Sequence, residues 1–322
     1  MWRVGSLVLI VGGVLAFSLS FMYADVQAVD RSPKHTVAAN LASNTPAPPA
    51  VEATPEPTPT PTAAPAALPT HPSFGPLAQT VGRIVAASGG QVGVSLIELG
   101  GSLSTNWSAG GSAQMDAAST YKLPALMDEA QLFAANRMNP AGNVCFTDSD
   151  WEDGWFTDYS AGDCFSRAEL VNRAGIYSDN TAGHMLVRDL GGAGALNTYA
   201  ASLGALDSNF FDVNTTTSDD LARLLAAEAT GKAGGPAAQA WLYPNLSNSR
   251  FEAGIPAGVP AGTTIVHKTG ELGPEVNDAA IVSGGKNGPY VLAVMTDGPG
   301  GDAAWSAIAQ ISAAVWAYEA AR

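Results

Sequence analysis

Hydrophobic residues recur with helical spacing in some stretches of this chain and alternate with small or polar residues in others. The helical spacing predicts helices at 76–88, 119–136, 178–190, 218–231 and 302–320, with shorter ones between. Alternating or β-branched runs, broken by Gly, Pro or Asn, predict strands at 91–99, 104–109, 263–268, 279–283 and 290–296. We therefore expect an α/β (α+β) fold: an antiparallel sheet built from both termini and flanked by helices, plus an all-helical lobe, with a cleft at the junction.

The chain before this pattern has a different composition. Residues 4–24 are uncharged and mostly apolar, which is long enough to span a bilayer, and small residues follow at 24–28. Residues 1–24 are therefore predicted to be a signal peptide or a retained membrane anchor. Almost half of the 21 prolines lie between Pro46 and Pro72, alternating with Thr and Ala. Such a run forms no hydrogen-bonded element, so residues 25–72 are predicted to be a disordered Pro/Thr-rich linker.

Residues 73–322 are long enough for one large domain or two intimately packed ones. We expect this part to be exported, either anchored at the extracellular face of the cell membrane or secreted, with the membrane contacted only through the N-terminal segment. We expect it to be a monomer.

Charge and cysteine content narrow the classes of function. The chain has 15 Lys and Arg against 29 Asp and Glu, a net charge of −14, which argues against a nucleic-acid partner because phosphate binding needs a basic surface. The two cysteines, Cys145 and Cys164, predict a disulfide if the protein is exported, the alternative being two buried free thiols. Two cysteines and four histidines show no metal-ligand spacing, and no glycine pattern indicates a nucleotide, so no metal and no cofactor are expected.

Three short motifs carry the candidate chemistry: Ser119-Thr-Tyr-Lys122, Ser178-Asp-Asn180 and Lys268-Thr-Gly270. Ser119 and Lys122 are three residues apart, so at the start of a helix both lie on one face and the amine can reach the hydroxyl. A serine needs an adjacent base to act as a nucleophile, and a lysine is such a base only when burial or a neighbouring cation lowers its pKa. Lys268 is a candidate for that cation. The pattern predicts an acyl-serine active site.

In this order, S-x-x-K, S-D-N and K-T-G are the signature set of serine β-lactamases and penicillin-binding proteins. Residues 73–322 resemble the class A β-lactamase family and its penicillin-binding relatives. The segment Arg250-Phe-Glu-Ala-Gly-Ile-Pro256 is similar to the family's Arg-x-x-Ala-Gly-Leu-Pro, and Asn277-Asp278 opens the next strand as in the family. The resemblance implies a serine hydrolase acting on C–N (amide) bonds, whose substrate is a β-lactam or a D-alanyl peptide of bacterial peptidoglycan.

The resemblance also implies roles for the residues that match. Ser119 is the acylated nucleophile, Lys122 its general base, and Ser178 the group that passes a proton to the leaving nitrogen. Asn180 holds the substrate's side-chain amide. Lys268 and Thr269 bind its carboxylate, and Gly270 leaves room for close backbone approach. The backbone N–H groups of Ser119 and Glu271 form the oxyanion hole. Arg250 stands where some members keep a cation for the same carboxylate.

One departure from the family pattern affects turnover. Class A enzymes carry a Glu-x-x-Leu-Asn loop between the second and third motifs, and its Glu activates the water that deacylates the enzyme. Here the corresponding stretch at 203–217 is shorter, and the chain has no Glu between Glu169 and Glu228. We therefore expect acylation with slow deacylation, as in a peptidase, esterase or slow lactamase. One alternative is a covalent penicillin-binding sensor without efficient turnover; another is a non-catalytic wall-binding domain that keeps the motifs.

Two residues are candidates to replace the missing Glu as the base for deacylation. His184, six residues after Ser178, is either an alternative general base or a helix residue that fills space left by the shorter loop. Glu271 either points its carboxylate into the cleft or is a solvated strand end.

The acidic segment between the cysteines is also ambiguous. Trp151, Trp155 and Tyr159 either stack on substrate at the cleft mouth or pack inward beneath a disulfide-pinned surface loop. With six acidic residues and no Lys or Arg between residues 146 and 163, the segment is also a candidate for binding cationic ligands.

Overall fold

The computed structural model describes residues 71–298 and 300–322. The predictions of an anchor or signal at 1–24 and of a linker at 25–72 therefore lie outside the described residues, apart from 71 and 72. The helices are α1 Gly75–Ser88, α2 Lys122–Ala134, α3 Arg167–Ile176, α4 Asn180–Asp189, α5 Ala193–Ser202, α6 Ser218–Ala229, α7 Gly235–Leu246 and α8 Gly301–Ala321. Within the described ranges, no helix is long and apolar enough to span a membrane.

The strands are β1 Gln91–Glu98, β2 Asn106–Ala109, β3 Met115–Asp116, β4 Asn143–Cys145, β5 Cys164–Ser166, β6 Thr215–Thr216, β7 Thr264–Leu272, β8 Glu275–Gly285 and β9 Gly288–Asp297. Five of them form an antiparallel sheet in the order β2-β1-β9-β8-β7. Two come from the N-terminal part of the domain and three from the C-terminal part, which confirms the predicted sheet built from both termini.

Strand β7 is longer than the sequence pattern predicts. It continues beyond Lys268 to Leu272, because Thr269 and Gly270 stay in register with Asp278 and Asn277 of β8. Since β7 is an edge strand of the sheet, its outer edge has no strand neighbour. The third motif therefore lies along an open sheet edge, beside the cleft.

The two faces of the sheet bury different cores, as the two-residue period of a strand requires. Along β9, Tyr290, Leu292 and Val294 pack into the core that also contains α1 and α8. The alternate residues Val291, Ala293 and Met295 pack into the core of the helical lobe. The sheet is thus sandwiched between two helical layers.

Helix α2 runs through the middle of the helical lobe and contacts α3, α4, α5 and α7. Its Leu123, Leu126 and Met127 are fully buried. The sequence pattern did not locate α3 and α7, for physical reasons. Helix α3 buries a charged residue, Arg173, among aromatic rings, and α7 contains Pro244 in its interior. Both features break the apolar periodicity from which helices are predicted.

A disulfide joins Cys145 of β4 to Cys164 of β5, as predicted. It closes the base of the segment 146–163, called here the acidic loop. This loop packs across the start of α4, where the second motif lies.

Candidate active site

Ser119 lies in a tight turn, residues 116–121, that leads into α2. Ala118 has φ 45°, a left-handed conformation that is unfavourable for a residue with a Cβ. Hydrogen bonds hold the turn in this state: the Ala118 N–H donates to Asp116 Oδ1 (2.7 Å), and Asn277 Nδ2 donates to the carbonyls of Asp116 (2.9 Å) and Ala117 (3.2 Å). Strain of this kind is characteristic of functional sites, where the surrounding structure fixes it.

Lys122 is completely buried directly beneath Ser119. Its Nζ lies 2.8 Å from Ser119 Oγ, 2.8 Å from the Ser178 carbonyl and 2.7 Å from Asn180 Oδ1. Burial lowers the pKa of Lys122 to about 7, although the nearby carboxylates act in the opposite direction. A substantial fraction of the amine is therefore neutral near neutral pH, and it can accept the proton of the Ser119 hydroxyl.

Ser178 connects the two buried lysines. Its φ of 57° turns the residue so that its carbonyl accepts from Lys122 while its hydroxyl accepts from Lys268 Nζ at 2.8 Å. Lys268 also donates to the Thr269 carbonyl (2.7 Å). Burial, together with the positive charge of Lys122, lowers the pKa of Lys268 well below its ordinary value. Two serine hydroxyls thus each contact a lysine of depressed pKa.

The other two residues of the second motif anchor it to the acidic loop. Asp179 caps α4 by accepting from the Ala182 N–H (2.9 Å), and it also accepts from Tyr159 Oη (2.6 Å) and the Phe156 N–H (2.9 Å). Asn180 Nδ2 donates to the Asp153 carbonyl at 2.7 Å, which directs its Oδ1 towards Lys122. Tyr159 is buried, so it packs inward and does not face the cleft.

A cleft of about 410 Å³ opens above Ser119. Of the predicted site residues, those lining it are Ser119, Ser178, Asn180, Thr269, Gly270 and Glu271. Lys122 and Lys268 lie buried just behind this wall. A Cβ on Gly270 would stand 2.8 Å from the Ala117 carbonyl and 3.0 Å from the Ser119 nitrogen, so only glycine lets β7 approach the Ser119 turn this closely.

The two remaining candidates, Arg250 and His184, do not line the cleft. Arg250 is exposed, and its guanidinium carbon lies 5.9 Å from the ring centroid of Trp155, which does line the cleft. His184 Nε2 pairs with Glu152 Oε2 of the acidic loop at 2.8 Å. Burial holds the pKa of His184 below its ordinary value, although the Glu152 carboxylate acts in the opposite direction. The geometry favours His184 as a residue that fixes the acidic loop.

The stretch 203–217 also contacts the Ser119 turn. The Ala117 N–H donates to the carbonyl of Asn214 (2.7 Å). The Asn214 side-chain Nδ2 donates in turn to the Ala118 carbonyl (3.2 Å). The ring of Phe211 packs edge-on against Tyr121 and His184, with centroids 5.4 and 5.0 Å apart. The two aspartates of this stretch, Asp207 and Asp212, are exposed and do not line the cleft. The side chains that this stretch places against the Ser119 turn are therefore the amide of Asn214 and the ring of Phe211.

Sequence reasoning did not assign roles to Asp116, Asn214 or Asn277, which hold the Ser119 turn. The only sequence signal for Asn214 is that Asn tolerates a left-handed φ, here 57°. Asn277 lies in β8, is fully buried and donates to the turn from that strand, a contact that needs the strand register to be known.

Among residues 71–298 and 300–322, no group of three or more His, Cys, Asp or Glu side chains is arranged to hold a metal ion.

Comparisons with known proteins agree with this geometry. Residues 76–319 match the model of the beta-lactamase enzyme family. A beta-lactamase of Mycobacterium tuberculosis is 35% identical over 156 residues, which cover 41% of this chain and 50% of that protein. The chain thus spans about half the length of the curated relatives it matches.

Among solved structures, that of PBP-A superposes with a TM-score of 0.71 at 26% identity, covering 78% of this chain and 98% of that one. A PBP-A variant in an acyl-enzyme complex with penicillin G superposes with a TM-score of 0.70 and the same identity and coverage. Fold, motif geometry and family match lead to one conclusion: the chain belongs to the beta-lactamase enzyme family.

Proposed function

We propose that this protein is an exported serine hydrolase that opens a β-lactam or a D-alanyl-type amide through an acyl-Ser119 intermediate and deacylates slowly. One observation carries the proposal. In a single cleft, Lys122 Nζ lies 2.8 Å from Ser119 Oγ, and Lys268 Nζ lies 2.8 Å from Ser178 Oγ. The penicillin G acyl-enzyme of PBP-A supports β-lactams as a substrate class. Export rests on the apolar run at residues 4–24.

Acylation follows from the two lysine–serine contacts. Neutral Lys122 takes the proton of Ser119 Oγ as the oxygen bonds to the substrate carbonyl carbon. The C–N bond then breaks while Ser178 gives its proton to the leaving nitrogen. Lys268, which donates to Ser178 Oγ, replaces that proton. Its depressed pKa makes its ammonium a better acid for this step than an ordinary lysine.

Charge on the carbonyl oxygen needs stabilisation during this step. The backbone N–H groups of Ser119 and Glu271 are the donors proposed for it, and removing one such donor typically costs about 100- to 1000-fold in rate. Gly270 allows the two backbone segments to approach, since a Cβ there would press on the Ser119 nitrogen. The substrate carboxylate binds at Thr269, which lines the cleft next to the buried Lys268.

Deacylation needs a base for the attacking water, and the stretch 203–217 offers none at the Ser119 turn. In this stretch, the side chains that contact the Ser119 turn are those of Asn214 and Phe211. This observation also favours a second candidate, a covalent penicillin-binding sensor that stays acylated. The two functions share the acylation chemistry and differ only in the lifetime of the acyl-enzyme.

The test is to treat the full-length protein with penicillin G, digest it and locate the adduct by peptide mass mapping. The proposal expects a penicilloyl group on the peptide that contains Ser119, and none in the Ser119→Ala variant. A modified Ser178 peptide, or no adduct at any position, would refute an acyl-Ser119 mechanism on β-lactams.

A further inference from the structure

His267 is buried on the face of the sheet that is opposite to the helical lobe. It shares that face with Ile265 of β7, which packs into the core that contains α8. The ring lies between two carboxylates: its Nδ1 is 2.9 Å from Asp278 Oδ1 of β8, and its Nε2 is 3.6 Å from Glu252 Oε1. Only 1% of the His267 side chain is exposed. The acylation chemistry proposed above does not use this ring.

Glu252 belongs to residues 250–256, a segment that forms part of the cleft wall, since Phe251 lines the cleft. One end of the segment is held by Asp278, whose Oδ2 accepts from the Ile255 N–H at 2.8 Å. Three residues earlier, the ion pair between Glu252 and His267 attaches the segment to β7. The buried pair of His267 and Asp278 thus contacts the segment at two points.

Charge decides the strength of the contact between His267 and Glu252. Burial alone would lower the pKa of His267, but Asp278 and Glu252 more than offset this effect and raise the pKa to about 9. The ring is therefore an imidazolium at neutral pH. Lys268, the next residue of β7, has its side chain on the other face of the sheet, where it donates to Ser178.

Loss of the proton reverses this contact. A carboxylate only accepts hydrogen bonds, so Nδ1 keeps its hydrogen for Asp278 and the proton lost above pH 9 comes from Nε2. A lone pair then faces the Glu252 carboxylate. Since the pKa is higher in the folded than in the unfolded state, the stabilisation is complete below about pH 6.5 and is lost as the pH rises through 9.

We propose that His267 is a positioning residue for the cleft: its imidazolium holds residues 250–256, and with them Phe251, against the strand that carries the third motif. This inference rests on the proposed acyl-Ser119 chemistry and adds a residue that shapes the cleft for it. The effect passes through Glu252, which does not itself line the cleft. Strand β7 keeps its register with β8 without this pair, whereas residues 250–256 lose an attachment.

The test compares second-order rate constants for acylation of the full-length protein by penicillin G, measured by intact mass from pH 7.5 to pH 10. At pH 7.5 we expect Glu252→Gln to react about fivefold more slowly than the wild type, the upper end for an ion pair with one exposed partner. We expect His267→Gln to react about tenfold more slowly, because its contacts with both carboxylates are weakened. At pH 10 the wild type has lost the imidazolium, so it exceeds Glu252→Gln by less than about twofold.

His71→Gln is the matched control. It removes another histidine–carboxylate pair, between His71 and the buried Glu98 (2.9 Å), and neither residue lines the cleft. We expect this variant to be acylated at the wild-type rate at every pH. Thermal unfolding at each pH checks that the variants are folded. If His267→Gln does not fold, Glu252→Gln decides the test, because the Glu252 side chain is 55% exposed.

Three results overturn the proposal: acylation of Glu252→Gln at the wild-type rate, a difference from the wild type that does not change with pH, or an equal loss in His71→Gln. A difference independent of pH would show that Glu252 contributes packing alone. If the wild type is not acylated at Ser119, it is the proposed function that fails.

Discussion

The two sides of Ser119 differ in the chemistry that they offer. On the motif side, Lys122 and Lys268 are buried, each contacts a serine hydroxyl, and both have depressed pKa values. On the loop side, Asn214 donates and accepts hydrogen bonds at the backbone of the Ser119 turn, and Phe211 packs on Tyr121. The motif side can therefore transfer protons, whereas the loop side positions the turn.

Under the proposed function, this difference separates nucleophile activation from water activation. Forming the acyl-enzyme needs proton transfer between groups that the motif side already places in contact. Hydrolysing it needs a second base aimed at a water molecule, and the loop side holds an amide and a ring instead. We therefore expect the two half-reactions to respond to different substitutions.

The largest effect is expected for Lys122→Met, which keeps an unbranched apolar chain one atom shorter and removes the base. Loss of a general base lowers a rate about 100- to 10,000-fold, and we expect the acylation rate constant for penicillin G to fall within that range. The rate is measured by intact mass, and circular dichroism checks that the variant is folded. A folded variant with near wild-type acylation would assign the base to another group.

Gly270→Ala tests the close approach of β7 to the Ser119 turn. The added Cβ would meet the Ala117 carbonyl at 2.8 Å, so strand and turn must separate. Overpacking of this kind costs about 1–3 kcal/mol, and we expect acylation to slow by about 10- to 100-fold. Gly82→Ala in α1 is the control, because nothing lies within 4 Å of its added Cβ and acylation should be unaffected. Equal behaviour of the two variants would refute the role of the approach.

The pH dependence of acylation tests the state of Lys122. Its pKa of about 7 means that the amine is protonated, and inactive as a base, at lower pH. We expect the acylation rate constant to fall about tenfold per pH unit below 7 and to level off above it. Penicillin G acylation is followed from pH 5 to 8.5, with thermal midpoints recorded at each pH. A flat profile in the folded protein would contradict a neutral Lys122 as the base.

The His184→Asn variant tests whether His184 acts as the base for deacylation. Because His184 pairs with Glu152 and does not line the cleft, we expect the decay of the acyl-enzyme to change by no more than about threefold. The decay is measured after removal of excess penicillin. Deacylation slowed by a factor of about 100 would restore His184 as the alternative general base.

Glu228→Gln concerns a buried group away from the cleft, and we expect no effect on acylation. Burial raises the pKa of Glu228 in α6 to about 7, so its charged form is disfavoured in the folded state. The resulting loss of stability begins as pH rises above the unfolded value near 4.5 and is complete above about 7.

The Gln variant should therefore unfold at a higher temperature than the wild type at pH 8.5 and at nearly the same temperature at pH 4.5. At about 1.4 kcal/mol per pKa unit, the gain at pH 8.5 is on the order of 3 kcal/mol. Thermal unfolding at the two pH values checks this. A gain that is the same at both would show that the charge of Glu228 is not its cause.

The sequence predicted the fold more completely than the site. The five strands of the main sheet, the long helices and the pairing of the termini follow from periodicity, because β1, β9 and α8 have clear apolar faces; the short strands β3, β4, β5 and β6 were not predicted. Helix α7 was not predicted because Pro244 lies inside it. Strand β7 was predicted too short because a glycine such as Gly270 usually marks the end of a strand. Tertiary contacts override local preference at both places.

The motifs predicted which residues meet around Ser119, but their geometry did not follow from spacing. The left-handed Ser178, which faces both lysines, depends on how α3 and α4 pack. Arg250 matched the family pattern, yet its side chain lies on Trp155 and does not line the cleft. The roles of Asn214 and Phe211 could not be predicted, because they arise from how the stretch 203–217 packs against the Ser119 turn.

We propose that Ser119 is acylated readily and deacylated slowly. A single intact-mass time course tests both steps: excess penicillin G is added to the full-length protein, removed by rapid gel filtration once labelling is complete, and the adduct is followed for hours. We expect complete labelling, absent in Ser119→Ala, and an adduct that persists with little penicilloic acid released. An adduct that disappears within the first minutes, with matching release of penicilloic acid, would contradict it.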